Sequence, residues 1–176
     1  MIKGNSINLR HVRESDLESL HGLMNDPEHR GPFTRTPIKS PVRFRNEFNA
    51  NGFSSEGSEL LVITSKDDRI LGTIGHFTTA PYSSARELGF SVFSTKSRDQ
   101  GIATEAVRLI TEYLFHSFPL NRVQICMPTG HKACEQVALK NGYIKEGVVR
   151  GSIFIQGEFL DTFLYSILRQ DFSETG

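Results

Sequence analysis

Between residues 87 and 106 the chain reads Glu87-Leu-Gly-Phe-Ser-Val-Phe-Ser-Thr-Lys-Ser-Arg98-Asp-Gln-Gly101-Ile-Ala103-Thr-Glu-Ala106. An apolar strand runs into a short polar loop, and the loop opens a helix whose first residues are small. A helix start carries N–H groups without intrahelical acceptors and a positive dipole end, which together receive phosphate well. Gly101 lets a ligand approach the backbone closely, and Ala103 keeps the next turn low. The same residues also fit a plain strand-to-helix connection, and spacing alone leaves both readings open. Other phosphate signatures do not fit, because neither G-x-x-x-x-G-K-[ST] nor G-x-G-x-x-G occurs. The six histidines (His11, His21, His29, His76, His116, His131) form no H-E-x-x-H, and Cys126 and Cys134 form no C-x-x-C, so no metal is expected. A G-x-S-x-G hydrolase elbow is missing as well.

The elements that must position this segment alternate between strand and helix. Ile7 to Val12 reads as a short strand, with Ile7 and Leu9 on one face. Ser15-Asp16-Leu17-Glu18 fits a capping box with Ser15 as N-cap, and Leu17, Leu20, Leu23 and Met24 follow at helical spacing. Ser40-Pro41 suits a second helix start. Leu60–Thr64 and Ile70–Thr79 predict an antiparallel hairpin around Lys66-Asp67-Asp68, followed by a strand from Glu87 to Phe93. The longest helix is expected from about Gly101 to Ser117, with Ala103, Ala106, Val107, Ile110 and Leu114 on its apolar face. Val123–Met127 reads as a buried strand, and His131–Lys140 as a helix ending before Gly142. Val148–Ile155 and Phe159–Leu168 form a last hairpin about Gln156-Gly157. This order gives a mixed α/β sheet in one domain, residues 1–176.

Composition narrows the class. The 176 residues are 38% hydrophobic and 23% charged, and 20 basic against 20 acidic residues leave no net charge. That excludes a disordered chain and attachment to nucleic acid by bulk positive charge. No apolar run approaches a membrane span and no signal-peptide stretch opens the chain, so a cytoplasmic protein is expected.

Arg98-x-x-Gly101-x-Ala103 resembles the [QR]-x-x-G-x-[GA] loop of the GNAT N-acyltransferase superfamily. Glu87-Leu-Gly-Phe, Thr104-Glu105-Ala106, Asn121-Arg122-Val123, Asn141-Gly142-Tyr143, Glu146-Gly147 and Gly157-Glu-Phe-Leu-Asp161 through Tyr165-Ser-Ile-Leu-Arg are similar to its ribosomal-protein-acetylating, RimJ/RimL-type branch. The likeness runs from Leu9-Arg10 to Asp171. It implies the GNAT fold, a mostly antiparallel sheet splayed into a V-shaped cleft and flanked by helices. It also implies acetyl-coenzyme A as co-substrate and direct acetyl transfer to a primary amine.

The resemblance assigns roles. Ser91, Val92 and Phe93 would pair with the pantetheine amides, and Arg98, Asp99, Gln100, Gly101, Ile102, Ala103 and Thr104 would hold the pyrophosphate. A bulge in the Glu87–Phe93 strand would open the cleft. The Phe93 N–H would stabilise the oxyanion. Glu87 is the candidate general base, directly or through water, or else a strand-end residue with a structural hydrogen bond. His76 on the neighbouring strand is a second candidate base or a packed histidine. The chain departs from the branch where N-x-x-S is replaced by His131-x-x-Cys134, and the tyrosine many relatives carry is Ala138. Cys134 is a candidate acid for the leaving thiolate or an inert buried thiol. His131 would contact pantetheine, relay a proton or cap the helix.

On the acceptor side, Arg30, Arg35, Lys39, Arg43 and Arg45 precede the first acid, Glu47. Guanidinium clusters favour carboxylates and phosphates, so either an acidic acceptor (a peptide N-terminus, a ribosomal protein or a small amine) is expected or the run is a solvated surface loop. Arg30, Arg35 and Tyr82 are the acceptor-binding candidates. No direct nucleic-acid binding is expected, and monomer and homodimer both remain open.

Overall fold

The computed structural model describes residues 1–34, 37–80, 82–93 and 100–173. Strands β1 (Ile2–Lys3) and β2 (Asn8–His11) lead through a 3-10 turn, Glu14–Asp16, into α1 (Leu17–Asn25) and α2 (Pro41–Asn51). Then come β3 (Ser54–Ser55), β4 (Ser58–Thr64), β5 (Ile70–Thr78) and β6 (Ala85–Val92). Helix α3 (Ile102–Ser117), β7 (Arg122–Pro128), α4 (Lys132–Lys140), β8 (Ile144–Ile155), β9 (Glu158–Leu168) and α5 (Arg169–Ser173) complete the chain. None of the described helices is long and apolar enough to cross a membrane.

The strands form one sheet in the order β1-β2-β4-β5-β6-β7-β9-β8, with β3 paired to β4. Among the described residues every pairing is antiparallel except β6 with β7. A parallel neighbour needs a crossover, and α3 provides it. The expected mixed, mostly antiparallel sheet is therefore present.

The two sheet faces are covered differently. Ile7, Leu9, Leu61, Ile63, Ile74, Leu88, Val123, Ile125 and Tyr165 form one core with Ala106, Val107, Ile110 and Leu114 of α3 and Ala138 of α4. On the opposite face Val62 and Phe93 pack with Leu17 and Leu20 of α1 and Phe44 of α2. Side chains alternate along a strand, so each face of β7 has its own character. Val123, Ile125 and Met127 are buried on the α3 face, whereas Arg122, Gln124 and Cys126 are only partly buried on the other.

Local signals explain most boundaries. The Ser40 side chain accepts the Arg43 N–H at 3.2 Å with Pro41 first in α2. Gln156 and Gly157 both have positive φ, as a two-residue hairpin turn requires. One expectation is corrected. Residues 14–16 form a 3-10 turn, and Asp16, not Ser15, accepts a backbone N–H there, from Arg13 at 2.7 Å. Asp16 is drawn inward because it also pairs with buried Arg10 at 2.6 Å.

Candidate active site

The parallel ladder between β6 and β7 is short. Ala85 faces Arg122, Arg86 faces Val123, Glu87 faces Gln124, and there it stops. Beyond that point β6 stays on β5 as far as Val92, while β7 stays on β9 as far as Pro128. Each strand is held by its outer partner, so the sheet opens as a V with its fork at Glu87 and Gln124. The expected bulge is absent: the β5–β6 register is unbroken from Gly72/Val92 to Thr78/Arg86. Loss of one ladder opens the cleft without an inserted residue.

Glu87 and Gln124 are joined across the fork, the Gln124 Nε2–H donating to Glu87 Oε2 at 2.7 Å. Cys126 follows Gln124 on the same face of β7. Burial, and then the neighbouring Glu87 carboxylate, push its thiol up to about 12. On this face a cavity of about 640 Å³ opens between α2 and strands β4–β6. A cavity of about 630 Å³ at the C-terminal end of α3 lies away from the fork. There Arg169 donates to the carbonyls of Phe115, Phe118 and Leu120, which closes the helix end.

The split leaves one edge of β6 without a strand partner. The Phe93 N–H donates to Leu71 O at 2.9 Å. Bonded pairs alternate along an antiparallel ladder, so residues 93, 91, 89 and 87 turn their backbone groups to β5. Those of Leu88, Phe90 and Val92 turn to the cleft. This corrects two expectations. The N–H of Phe93 is engaged in the sheet and its side chain is buried against α1 and α2, while the backbone of Ser91 also faces β5. Val92 remains on the cleft edge, now joined by Phe90 and Leu88.

At the wide end of the V, Gly101 caps α3 with φ +77°, a left-handed conformation that favours glycine. The first α3 bond is Glu105 N–H to Gly101 O, so the N–H groups of Ile102, Ala103 and Thr104 precede any intrahelical acceptor. A Cβ on Gly101 would meet nothing within 4 Å, so the cradle is open. Diphosphate fits this donor set, and a diamide fits the free edge of β6. Arg98 and Asp99 lie outside the described residues, as does Arg35.

His131 turns out to be a cap. Its Nδ1 accepts the Cys134 N–H at 3.3 Å, and its ring stacks on Phe33, centroids 4.5 Å apart and planes at 21°. Phe33 belongs to the α1–α2 connection, so this stack reaches from one arm of the V to the other. Burial pushes the Cys134 thiol up to about 12. Handing that proton to an ordinary thiolate, at about 8.5, costs roughly 4–5 kcal/mol, which disfavours Cys134 as the acid.

His76 is corrected as a catalytic candidate. Its cross-strand neighbour is Leu88, in the α3 core, whereas Glu87 faces Phe77. His76 therefore points away from Glu87, packing 6.1 Å from the Phe118 ring with Nε2 3.4 Å from Glu59 Oε2. That contact, with His11 at the other oxygen, holds the Glu59 carboxyl below the usual range despite burial. Tyr82 is also corrected: it is 93% exposed in the β5–β6 turn, at the closed end of the V where β6 and β7 are paired. In the basic run, Lys39 and Arg43 both bind Glu47, Arg45 approaches Glu14 at 3.6 Å, and Arg30 donates to Pro37 O. Much of the expected positive field is thus answered locally.

Gln124 and Cys126 escape notice when residues 123–127 are read as a uniformly buried strand. The alternation Arg122, Gln124, Cys126 against Val123, Ile125, Met127 carried the signal.

A sheet split beside a helix-start anion cradle defines an acyl-coenzyme A-dependent transferase. Comparison with known proteins agrees: residues 6–144 match the Acetyltransferase (GNAT) domain, and the chain belongs to that family. It is 30% identical to the Probable N-acetyltransferase YjcK of Bacillus subtilis over 97% of this chain and 98% of that one. Its fold superposes on RimL, a ribosomal alpha-N-protein acetyltransferase in complex with coenzyme A, with TM-score 0.85 at 18% identity, covering 97% and 98% of the two chains. A spermidine N-acetyltransferase from Vibrio cholerae, in complex with coenzyme A and spermine, gives TM-score 0.84 at 16% identity, covering 97% and 99%. The protein is a GNAT-family N-acetyltransferase that uses acetyl-coenzyme A as co-substrate.

Proposed function

We propose that Glu87 is the general base of this acetyltransferase and that the fork between β6 and β7 is where the acceptor amine loses its proton. The observation that carries the reading is the position of Glu87: it is the last residue of β6 paired to β7, held by Gln124 where the sheet divides. Acetyl-coenzyme A supplies an acetyl group activated as a thioester. The N–H groups of Ile102, Ala103 and Thr104 and the Gly101 cradle hold its diphosphate, and the free edge at Leu88, Phe90 and Val92 holds its amide arm. A carboxylate fixed on one oxygen takes a proton from the acceptor's ammonium, directly or through one water. The neutral amine then adds to the thioester carbonyl, the C–S bond breaks, and the departing coenzyme A thiolate gains the proton that the new amide nitrogen sheds. The N–H groups of Phe90 and Val92, turned into the cleft, donate to the oxygen that gains charge.

The acceptor is a primary amine on a peptide terminus or a small molecule, met in the cytoplasm. RimL is named for the first kind of substrate and the Vibrio cholerae relative for the second. The test is Glu87→Gln, which keeps size and hydrogen bonding but cannot take a proton. Thiol release with an amine panel should fall at least a hundredfold in kcat, with the Kd for acetyl-coenzyme A within twofold of wild type. Undiminished turnover would remove Glu87 from the reaction.

A further inference from the structure

The cavity between α2 and strands β4–β6 has bare backbone in its floor at Gly75 and Gly89. On the face turned to α2, cross-strand neighbours form three parallel rows. Ser58, Phe77, Glu87 and Gln124 make one, Leu60, Gly75 and Gly89 the next, and Val62, Thr73 and Ser91 the third. The middle row has no side chain on two adjacent strands. It runs across the sheet from beneath the end of α2, at Asn51, to the open edge of β6, one step beyond the Glu87–Gln124 pair.

The two glycines differ in why they are bare. A Cβ on Gly75 would sit 2.5 Å from Glu59 O, so packing forbids it. A Cβ on Gly89 would meet nothing within 4 Å, and Gly89 is not among the positive-φ residues. Strand glycines cost stability, and neither backbone conformation nor packing demands this one. The space above it belongs to the cavity, whose lining extends to Phe77, the cross-strand neighbour of the proposed base.

Resting on the assignment of Glu87, we infer that Gly89 is the specificity-determining residue of the acceptor site and that the acceptor is a primary amine on a slender, unbranched stem. The rows of Glu87 and Ser91 are four residues apart, about 13 Å along the strand. The side chains of Phe77 and Thr73 narrow that gap from both sides. A linear chain lying over Leu60, Gly75 and Gly89 brings its terminal amine to the fork, whereas a branch beside the amine meets a wall. This selects a linear amine over the α-branched terminus of a peptide.

The isomers n-butylamine and sec-butylamine, the second branched beside the nitrogen, test this with wild type and Gly89→Val in a thiol-release assay. Wild type should favour the linear isomer at least tenfold in kcat/KM. Gly89→Val should raise the KM for n-butylamine at least tenfold, leave that for acetyl-coenzyme A within twofold, and melt no lower than wild type. Equal use of the isomers, no turnover of either by wild type, an unmoved amine KM, or an equal rise in both KM values overturns the inference. The base assignment stands or falls separately, on the kcat of Glu87→Gln.

Discussion

Gln124 Nε2 donates to Glu87 Oε2 at 2.7 Å across the last paired position before the sheet divides. The fork thus fixes the orientation of a carboxylate that alternation would otherwise leave free to swing over an open cleft. A hydrogen bond to a charged acceptor contributes about 1.5–3 kcal/mol. If that orientation matters in the transition state, Gln124→Leu should lower kcat by roughly ten- to a hundredfold. The KM for acetyl-coenzyme A should hold within twofold and the melting temperature within a few degrees. Steady-state kinetics with both substrates varied checks this, and a loss confined to the acetyl-coenzyme A KM would contradict it.

The two cysteines should be chemically quiet. With both thiols pushed up to about 12, neither Cys126 nor Cys134 carries appreciable thiolate at neutral pH. Iodoacetamide at pH 7.5 should leave both unmodified in the folded protein and label both once it is unfolded, as intact-mass spectrometry reads. Cys134→Ala should keep kcat within about threefold. The folded-state value of Cys134 lies above the unfolded one, so its contribution to stability is full below about pH 8.5 and lost as pH rises toward 12. Denaturation series from pH 8 to 11 should show a decline that Cys134→Ala lessens, by up to about 1.4 kcal/mol per pH unit.

The parts of the molecule written in local signals were legible in the sequence. Gly101 before a helix of small residues, Ser40-Pro41, Gln156-Gly157 and the two hairpins each depend on a few neighbouring residues, and each is where the pattern puts it. What depends on partners distant in sequence was not legible. Whether Phe93 or Phe90 offers its N–H to the cleft is decided by register against β5. His76 stands beside Glu87 in the sequence reading as a second candidate base, yet the same register sends the two to opposite faces. Ser15 lost its expected capping place to Asp16 because a helix signature does not reveal Arg10 waiting in the core.

His131 should matter to α4 through one hydrogen bond. Its Nδ1 accepts the Cys134 N–H, as an N-cap side chain does, and its ring stacks on Phe33. Replacing a capping acceptor by alanine costs about 1 kcal/mol. His131→Ala should therefore lose about that much in urea denaturation, plus a smaller amount for the stack. His131→Asn keeps a good capping acceptor and should recover most of the loss from the cap while losing the stack. Equal destabilisation by both variants would mean that the stack, not the cap, holds this corner.

The Arg10–Asp16 pair should set the acid limit of the fold. Both side chains are at least nine-tenths buried and meet at 2.6 Å, and Arg10 also reaches Asp68 at 2.7 Å. Burial alone would raise the Asp16 carboxyl. The Arg10 guanidinium and the Arg13 N–H outweigh it, leaving the group below the usual carboxylate range. A lowered folded-state value contributes stability above the unfolded value, near pH 4, and loses it as pH falls through the folded one. Asp16→Asn removes the charge while Arg10 stays buried with Asp68 as its remaining carboxylate and the His11 carbonyl beside it. Deleting one partner of a buried pair costs about 3 kcal/mol or more, so the midpoint should drop by roughly 6–12 °C at pH 7. Below about pH 4 the gap between wild type and variant should narrow, because the unfolded wild-type chain there takes up a proton that the folded carboxyl resists. Thermal melts at pH 7, 5 and 3 decide it: a gap that persists undiminished at pH 3 would assign the loss to packing instead of charge.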